Sequence, residues 1–398
     1  MRGRIRVRRA GVVLVPMALL AALMPPAFAV SQAVAAGRPA TAGTAETGLA
    51  GLAAAAPPAG PRAPASAGNP SLFGVAATSA SNAWAAGDIG IGKLRTLILR
   101  WNGKSWRRVA SPNPAPGNDT LSAVAALSPS SAWAVGGRGG EPLILRWNGR
   151  EWRKAHSPAP ASGGMLASVV AISARDAWTV GLGGPRDDKA LIQHWNGRSW
   201  RQLAAPRVPG GASLDAVTAT SASNVWAVGT RGTAGRPLTE HWNGRSWRVV
   251  PSPALGGNGL VGVAATSARN AWAVSGITQQ AIGENRSLIL RWNGRAWRRV
   301  HSADPKPGGA VLLGVAASSG SSAWAVGIDL DFVNSFETVI EHWNGRAWKL
   351  QHSPVTDGDL NAVTVLSARN AWIVGGTGNG ALILHWNGHS WRRSAPGV

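Results

Sequence analysis

Leu97–Val109 reads LILRWNGKSWRRV: an apolar run ending in Trp, an Asn-Gly pair, and a second Trp five residues after the first. Asn-Gly is a favoured hairpin turn because both residues tolerate positive φ, so the stretch predicts two antiparallel strands. Whether the loop is Asn-Gly alone or the four residues Asn-Gly-Lys-Ser, alternation puts Trp101 and Trp106 on one face. The motif is written seven times, starting at Trp101, Trp147, Trp195, Trp242, Trp292, Trp343 and Trp386. Another Trp precedes each copy in an Ala-Trp or Val-Trp pair, from Trp84 to Trp372, so three per copy account for all 21 Trp.

Successive Trp of one kind stand 43 to 52 residues apart, the spacing of propeller blades rather than helical solenoids. The first unit carries four strand signals: Leu72–Ala77 (A), Ala83–Gly87 (B), Leu97–Trp101 (C) and Ser105–Val109 (D). The A–B connection is short and rich in Ser, Asn and Asp, whose side chains bond their own backbone two residues on. One such sheet cannot bury both faces. Seven stacked about an axis can, with Trp wedged between neighbours. The sequence therefore predicts an all-β chain, a seven-bladed β-propeller of four-stranded antiparallel blades over residues 70–398. Each unit is complete from A to D, so closure is expected from packing of the first and seventh blades, or from an upstream segment such as Leu49–Ala55.

Residues 1–29 have the layout of a secretory signal peptide: five Arg from Arg2 to Arg9, an apolar run Ala10–Met24, then Ala27-Phe28-Ala29. The run is short for a membrane helix. A second small-x-small triplet, Ala33-Val34-Ala35, leaves the cut site open, and the residues around Arg8-Arg9 do not match a twin-arginine signal. Residues 30–69 are Ala, Pro, Gly, Ser and Thr with hardly a large apolar side chain, which predicts a disordered stalk. The chain has no Cys, which excludes disulfides and a lipid-bearing Cys, so the domain relies on its core. The expected product is a secreted monomer without a membrane span, free outside the cell or held non-covalently at the wall.

In an A-to-D blade the A–B and C–D turns share one face, and the B–C loops and D-to-A connections share the other. The first face is uniform. The second carries nearly all the variation, including 88–96, 182–189, 277–287 and 328–338. Binding residues concentrate on variable loops held by a rigid scaffold, so a specific ligand is expected there. The formal charge is +22, and the five leader Arg taken from it leave +17. Much of this charge falls in the C–D turn and strand D, as at Arg107, Arg108, Arg153, Lys154, Arg298, Arg299, Arg392 and Arg393. Such a rim keeps edge strands from pairing with other sheets. It also suits attraction to a polyanion: phosphate-bearing wall polymer, acidic polysaccharide or extracellular nucleic acid.

Identical placement in every unit marks the Trp as core rather than a sugar-binding surface. The residue before each motif Trp is Arg100, Arg146, His194, His241, Arg291, His342 or His385, an alternation that reads as a structural position. No His cluster has zinc spacing. Asp329, Asp331, Asn334 and Glu337, with Asp357, Asp359 and Asn361, faintly resemble calcium loops without the full pattern. They fall on adjacent variable-face loops, so Asp329, Asp331, Asp357 and Asp359 are the candidate ligand-binding acidic patch. No cofactor is expected, calcium at this patch being the exception to look for. No nucleophile elbow, phosphate loop or paired-carboxylate signature stands out, and no catalytic residue is assigned.

The WNG-x-x-W hairpin preceded by AWAVG resembles the bacterial-neuraminidase (Asp-box) repeat. It is also similar to the propellers of photosystem II assembly factors, which pair a Trp-Ala-Val-Gly strand with an Asp-Gly-Gly-x-x-Trp hairpin. The resemblance covers residues 71–393 and implies a propeller, not an activity. It departs where Asn102 and its equivalents replace Asp and the loop is one residue shorter. Sialidases of that fold use a Tyr nucleophile, and this chain has no Tyr. The Ala, Gly, Arg and Pro bias is similar to that of secreted proteins of high-GC actinobacteria. The functional expectation is a non-enzymatic propeller that binds a glycan, an anionic wall polymer or an extracellular protein through its variable face. The alternative is an extracellular carbohydrate-active hydrolase or lyase with a site at the channel mouth.

Overall fold

The structure is a computed structural model that describes residues 68–398, apart from 115, 159, 161–162, 185–188, 254–258, 280–283, 304–309 and 332–334. The leader and nearly all of the stalk segment lie outside the described residues. Twenty-eight strands run from β1 (Ser71–Ser79) to β28 (Trp391–Arg393), and each four in succession form one antiparallel sheet. Neighbouring A strands touch all the way round, the seventh against the first. Strand A therefore lines the axis and strand D forms the rim. This is the seven-bladed propeller that the repeat predicts.

In blade 1 strands A, B and C exceed the sequence-predicted ones, at Ser71–Ser79, Asn82–Ile89 and Arg95–Trp101, while strand D is one residue shorter and starts at Trp106. The extensions run through polar residues such as Asp88 and Thr96, which pair in register. A backbone ladder needs no apolar side chain to continue. Trp101 lies directly opposite Trp106, so the loop is the four residues Asn-Gly-Lys-Ser. Asn102 Oδ1 accepts the N–H groups of Lys104 and Ser105, and the bonds recur at 2.9–3.1 Å in all seven blades. The following Gly sits at φ 91–97° each time, where a side chain is strained. A carboxylate oxygen can accept the same two bonds, so Asn in place of Asp leaves the turn intact.

The Gly that ends AWAVG has a different cause. In six blades strand A carries a bulge beside it, and a Cβ on Gly87, Gly136, Gly181, Gly229, Gly327 or Gly375 would lie 1.9–2.1 Å from a strand A carbonyl oxygen. Blade 5 has Ser275 instead; its strand A is the short Gly262–Ser267, and that pairing shows no bulge at this position. Gly229→Ser is expected to break the corresponding pairing of blade 4 and cost about 1–3 kcal/mol, the usual range for overpacking. Urea denaturation measures it. A loss below about 0.5 kcal/mol would remove steric contact as the reason for the glycine.

The described residues close the ring by packing, and the upstream segment Leu49–Ala55 lies outside them. Leu72, Leu97, Leu99 and Trp106 of blade 1 share one apolar cluster with Trp372, Val374 and Ile383 of blade 7. Asn361 Nδ2 donates to Leu72 O at 3.0 Å, and Asn69 Nδ2 to Gly378 O at 3.1 Å. Thus Asn69, the last residue of the stalk segment, is held against the ring. Among the described residues no upstream strand joins a blade.

Candidate binding surfaces

At each blade junction three indoles meet. The strand B Trp of one blade lies 4.9–5.1 Å from the strand C Trp of the next, and 5.0–5.4 Å from its strand D Trp at 79–87°. Edge-to-face contact sets the positive edge of one ring against the negative face of another. The strand C indole N–H donates to an A–B turn carbonyl in every blade, as Trp101 Nε1 does to Ala80 O at 2.9 Å. Seventeen of the 21 Trp are buried and Trp101, Trp242, Trp292 and Trp386 are half-buried against the same clusters, as their repetition predicts.

The Arg or His before each motif Trp caps this stack. Arg100 lies 4.9 Å from the Trp84 ring and donates to Asn82 Oδ1 and to Pro129 O of the next blade. His194, His241, His342 and His385 stack on strand B Trp rings at 4.2–4.4 Å. Burial holds His241, His342 and His385 below the usual imidazole value, which favours the neutral ring. His194 pairs with Asp176 at 2.9 Å, but this His–carboxylate pair belongs to the junction and not to the channel mouth.

The expected acidic patch is only partly assembled, and of its four residues only Asp357 lies in a connection rather than a strand. Asp329 and Asp331 lie on strand B of blade 6 (β22, Ser322–Asp331), and Asp359 opens strand A of blade 7 (β25, Asp359–Ser367). Asp329 pairs in register with Glu337, which bridges to Asp357, so three carboxylate residues stand in a row across the blade's upper edge. Asp329 is 2 % exposed, buried by its neighbours, while Asp357 is open to solvent. Asp359 accepts from Asn361 Nδ2, and burial still pushes its carboxyl upward. Among the described residues no three His, Cys, Asp or Glu side chains form a metal cage.

The variable face is uneven. Strands B of blades 5 and 6, Asn270–Gln279 and Ser322–Asp331, are ten residues long against eight in the other blades. Two adjacent hairpins therefore stand above the rest. Nearer the axis, Asp215 occupies the bulge of strand A in blade 4; neither carboxylate oxygen has a partner, and burial pushes the group up to about 7.

At the rim, strand D residues Arg107, Arg108, Arg153, Lys154, Arg298, Arg299, Arg392 and Arg393 are all exposed. A cleft of about 270 Å³ opens between blades 2 and 3, lined by Arg153 and Lys154 with Arg146, His156, Arg198 and Ser199. Sequence reasoning put the strand D residues on the rim and read Arg146 as a structural position but did not group them, because the cleft joins these residues, up to 53 positions apart, on two different blades.

No protein-family model matches the chain, and no curated protein matches it in sequence. Solved structures match it in fold. The GH74 xyloglucanase from Xanthomonas campestris superposes with a TM-score of 0.62 at 16% identity, over 85% of this chain and 56% of that one. YCF48 from Cyanidioschyzon merolae gives 0.54 at 18% identity, over 81% and 97%. A PL25 ulvan lyase gives 0.53 at 10% identity, over 82% and 96%. At such identities the likeness is one of fold: this chain is a β-propeller, similar in architecture to a photosystem II assembly factor and to carbohydrate-active enzymes. Among the described residues no helix is long and apolar enough to cross a membrane.

Proposed function

We propose that the chain is a secreted, non-enzymatic propeller that binds a glycan, an anionic wall polymer or an extracellular protein through its variable face. The observation that carries this reading is the inequality of the two faces. On the uniform face the turn Asn and the strand C indoles are engaged within the fold, seven times over. Distinct loops and the two raised hairpins of blades 5 and 6 stand on the other, where a rigid ring holds them. Propellers whose names mark them as acting on polysaccharides put glycans first in any screen, as an analogy of fold. The hydrolase or lyase alternative finds one suggestive group, Asp215 near neutral pKa, but its oxygens are closed to solvent and unpaired.

The test replaces residues 278–285 and 330–336 by Asn-Gly turns, which cuts both hairpins to the height of the others. A screen of glycans, wall polymers and extracellular proteins should find a ligand whose affinity drops at least about tenfold in this variant, the effect of one or two good contacts. Tryptophan fluorescence and melting temperature should stay unchanged. Undiminished binding by the variant, or polysaccharide turnover by the intact chain without binding, overturns the proposal.

A further inference from the structure

Across each C–D hairpin, the residue before the first motif Trp lies directly opposite the residue after the second. In blades 1, 2 and 5 that pair is Arg100 with Arg107, Arg146 with Arg153, and Arg291 with Arg298. In the other four blades His faces Arg or Lys. Like charges directly opposite on a sheet repel. Yet the seven C–D turns and D strands together hold 17 Lys and Arg against the single carboxylate Glu151, which ion-pairs with Arg153. Arg146 is fixed in place, 5.2 Å from the Trp133 ring and 5.3 Å from the Trp195 ring. Three guanidiniums repeatedly set against three others, with one carboxylate among them, make an arrangement that an added anion relieves.

The cleft between blades 2 and 3 has the donors for one. Arg146, Arg153 and Lys154 come from one blade, Arg198 and the Ser199 hydroxyl from the next, and His156 from the connection. A planar carboxylate is satisfied by a single guanidinium fork, whereas donors arriving from several directions suit the oxygens of a tetrahedral anion. Blade 1 supplies Arg100 and Arg107 at the adjacent junction, so two Arg-opposite-Arg seats lie side by side along the rim. We propose that the junctions between blades 1 and 2 and between blades 2 and 3 bind a linear polymer of phosphate or sulfate groups. Attachment at the rim leaves the variable face free, so this site works independently of the ligand assigned there.

The full chain is titrated with long-chain polyphosphate and with dextran sulfate, which separate the two ester sources, and with polygalacturonate, neutral dextran, single-stranded DNA and inorganic phosphate. Polyphosphate or dextran sulfate should bind, more tightly than inorganic phosphate and with affinity falling as salt rises. The triple variant Arg107→Gln, Arg153→Gln, Lys154→Gln should lose at least about tenfold in affinity through its charge-assisted bonds. Arg201→Gln, Arg248→Gln, Lys349→Gln removes equal charge where His stands opposite and should lose less than about threefold. Without ligand, the first triple should also melt at a higher temperature than the parent, because the repulsion is gone. Equal losses in both triples would show diffuse attraction only and overturn the proposal. So would polygalacturonate or dextran binding as tightly as polyphosphate, or binding confined to DNA.

Discussion

Trp372→Ala is expected to destabilise the ring by about 3–5 kcal/mol, the range for truncating a buried Trp. Trp372 is 1 % exposed and lies 5.0 Å from Trp101 and 5.2 Å from Trp106, so its removal empties the joint where blade 7 meets blade 1. Trp226→Ala is the control, since Trp226 makes the same contacts with Trp292 and Trp297 at a junction the chain itself bridges. Both variants lose similar contact. Only the first loosens a joint that depends on packing and on bonds such as Asn361 to Leu72. Hydrogen exchange should therefore quicken across both terminal blades in Trp372→Ala and stay near blades 4 and 5 in Trp226→Ala. If Trp372→Ala does not accumulate, Trp372→Phe keeps an aromatic ring in the joint and should show the same pattern with a smaller loss. A loss under 1 kcal/mol, or an identical exchange pattern in the two variants, would mean that closure rests elsewhere.

The architecture was legible because the physics repeats. A Trp beside a four-residue Asn-Gly turn, seven times, fixes strand pairing, face and neighbour together, and the ends of the ring at Ser71 and Arg393 follow. Single blades depart from the repeat for reasons that lie in space. Ser275 is one residue unlike six glycines, and its meaning emerges only beside the strand A carbonyls those glycines admit. The acidic residues were misplaced for a similar cause: Asp329 and Asp359 read as loop because they are polar, whereas the ladder carries them into strands. Asp215 and the clustering of Arg146 with Arg198 carry no linear signal at all, since each depends on what a neighbouring blade presents.

Glu240→Leu should stabilise the protein, by an amount that grows with pH. Glu240 is fully buried on strand C of blade 4, and neither of its carboxylate oxygens has a hydrogen-bond partner. Four blades place Leu at this point: Leu99, Leu145, Leu290 and Leu384. Two others place a polar residue that the preceding connection satisfies. Ser157 donates to Gln193 Oε1, while Ser302 Oγ and the N–H of Ala303 donate to Glu341 at 2.5 and 3.0 Å. The corresponding connection before Glu240 offers Ala205, which has no hydroxyl, and Pro206, which has no N–H. Burial without donors pushes the Glu240 carboxyl up to about 8 from an ordinary 4.5, so the folded protein keeps this proton through neutrality. Because the folded value is the raised one, the contribution to stability is greatest below 4.5 and is lost as pH rises toward 8. Asp88 and Asp215, raised to about 7, act with the same sign, so the difference between parent and variant isolates Glu240. Denaturation at pH 5, 6, 7 and 8 should show the gain from Glu240→Leu rising to a few kcal/mol, with a slope of up to about 1.4 kcal/mol per pH unit. Ala205→Ser should flatten that slope by restoring the hydroxyl that blades 3 and 6 receive. A gain independent of pH would mean that the carboxyl is solvated in the native state, and the missing donors would then carry no energetic weight.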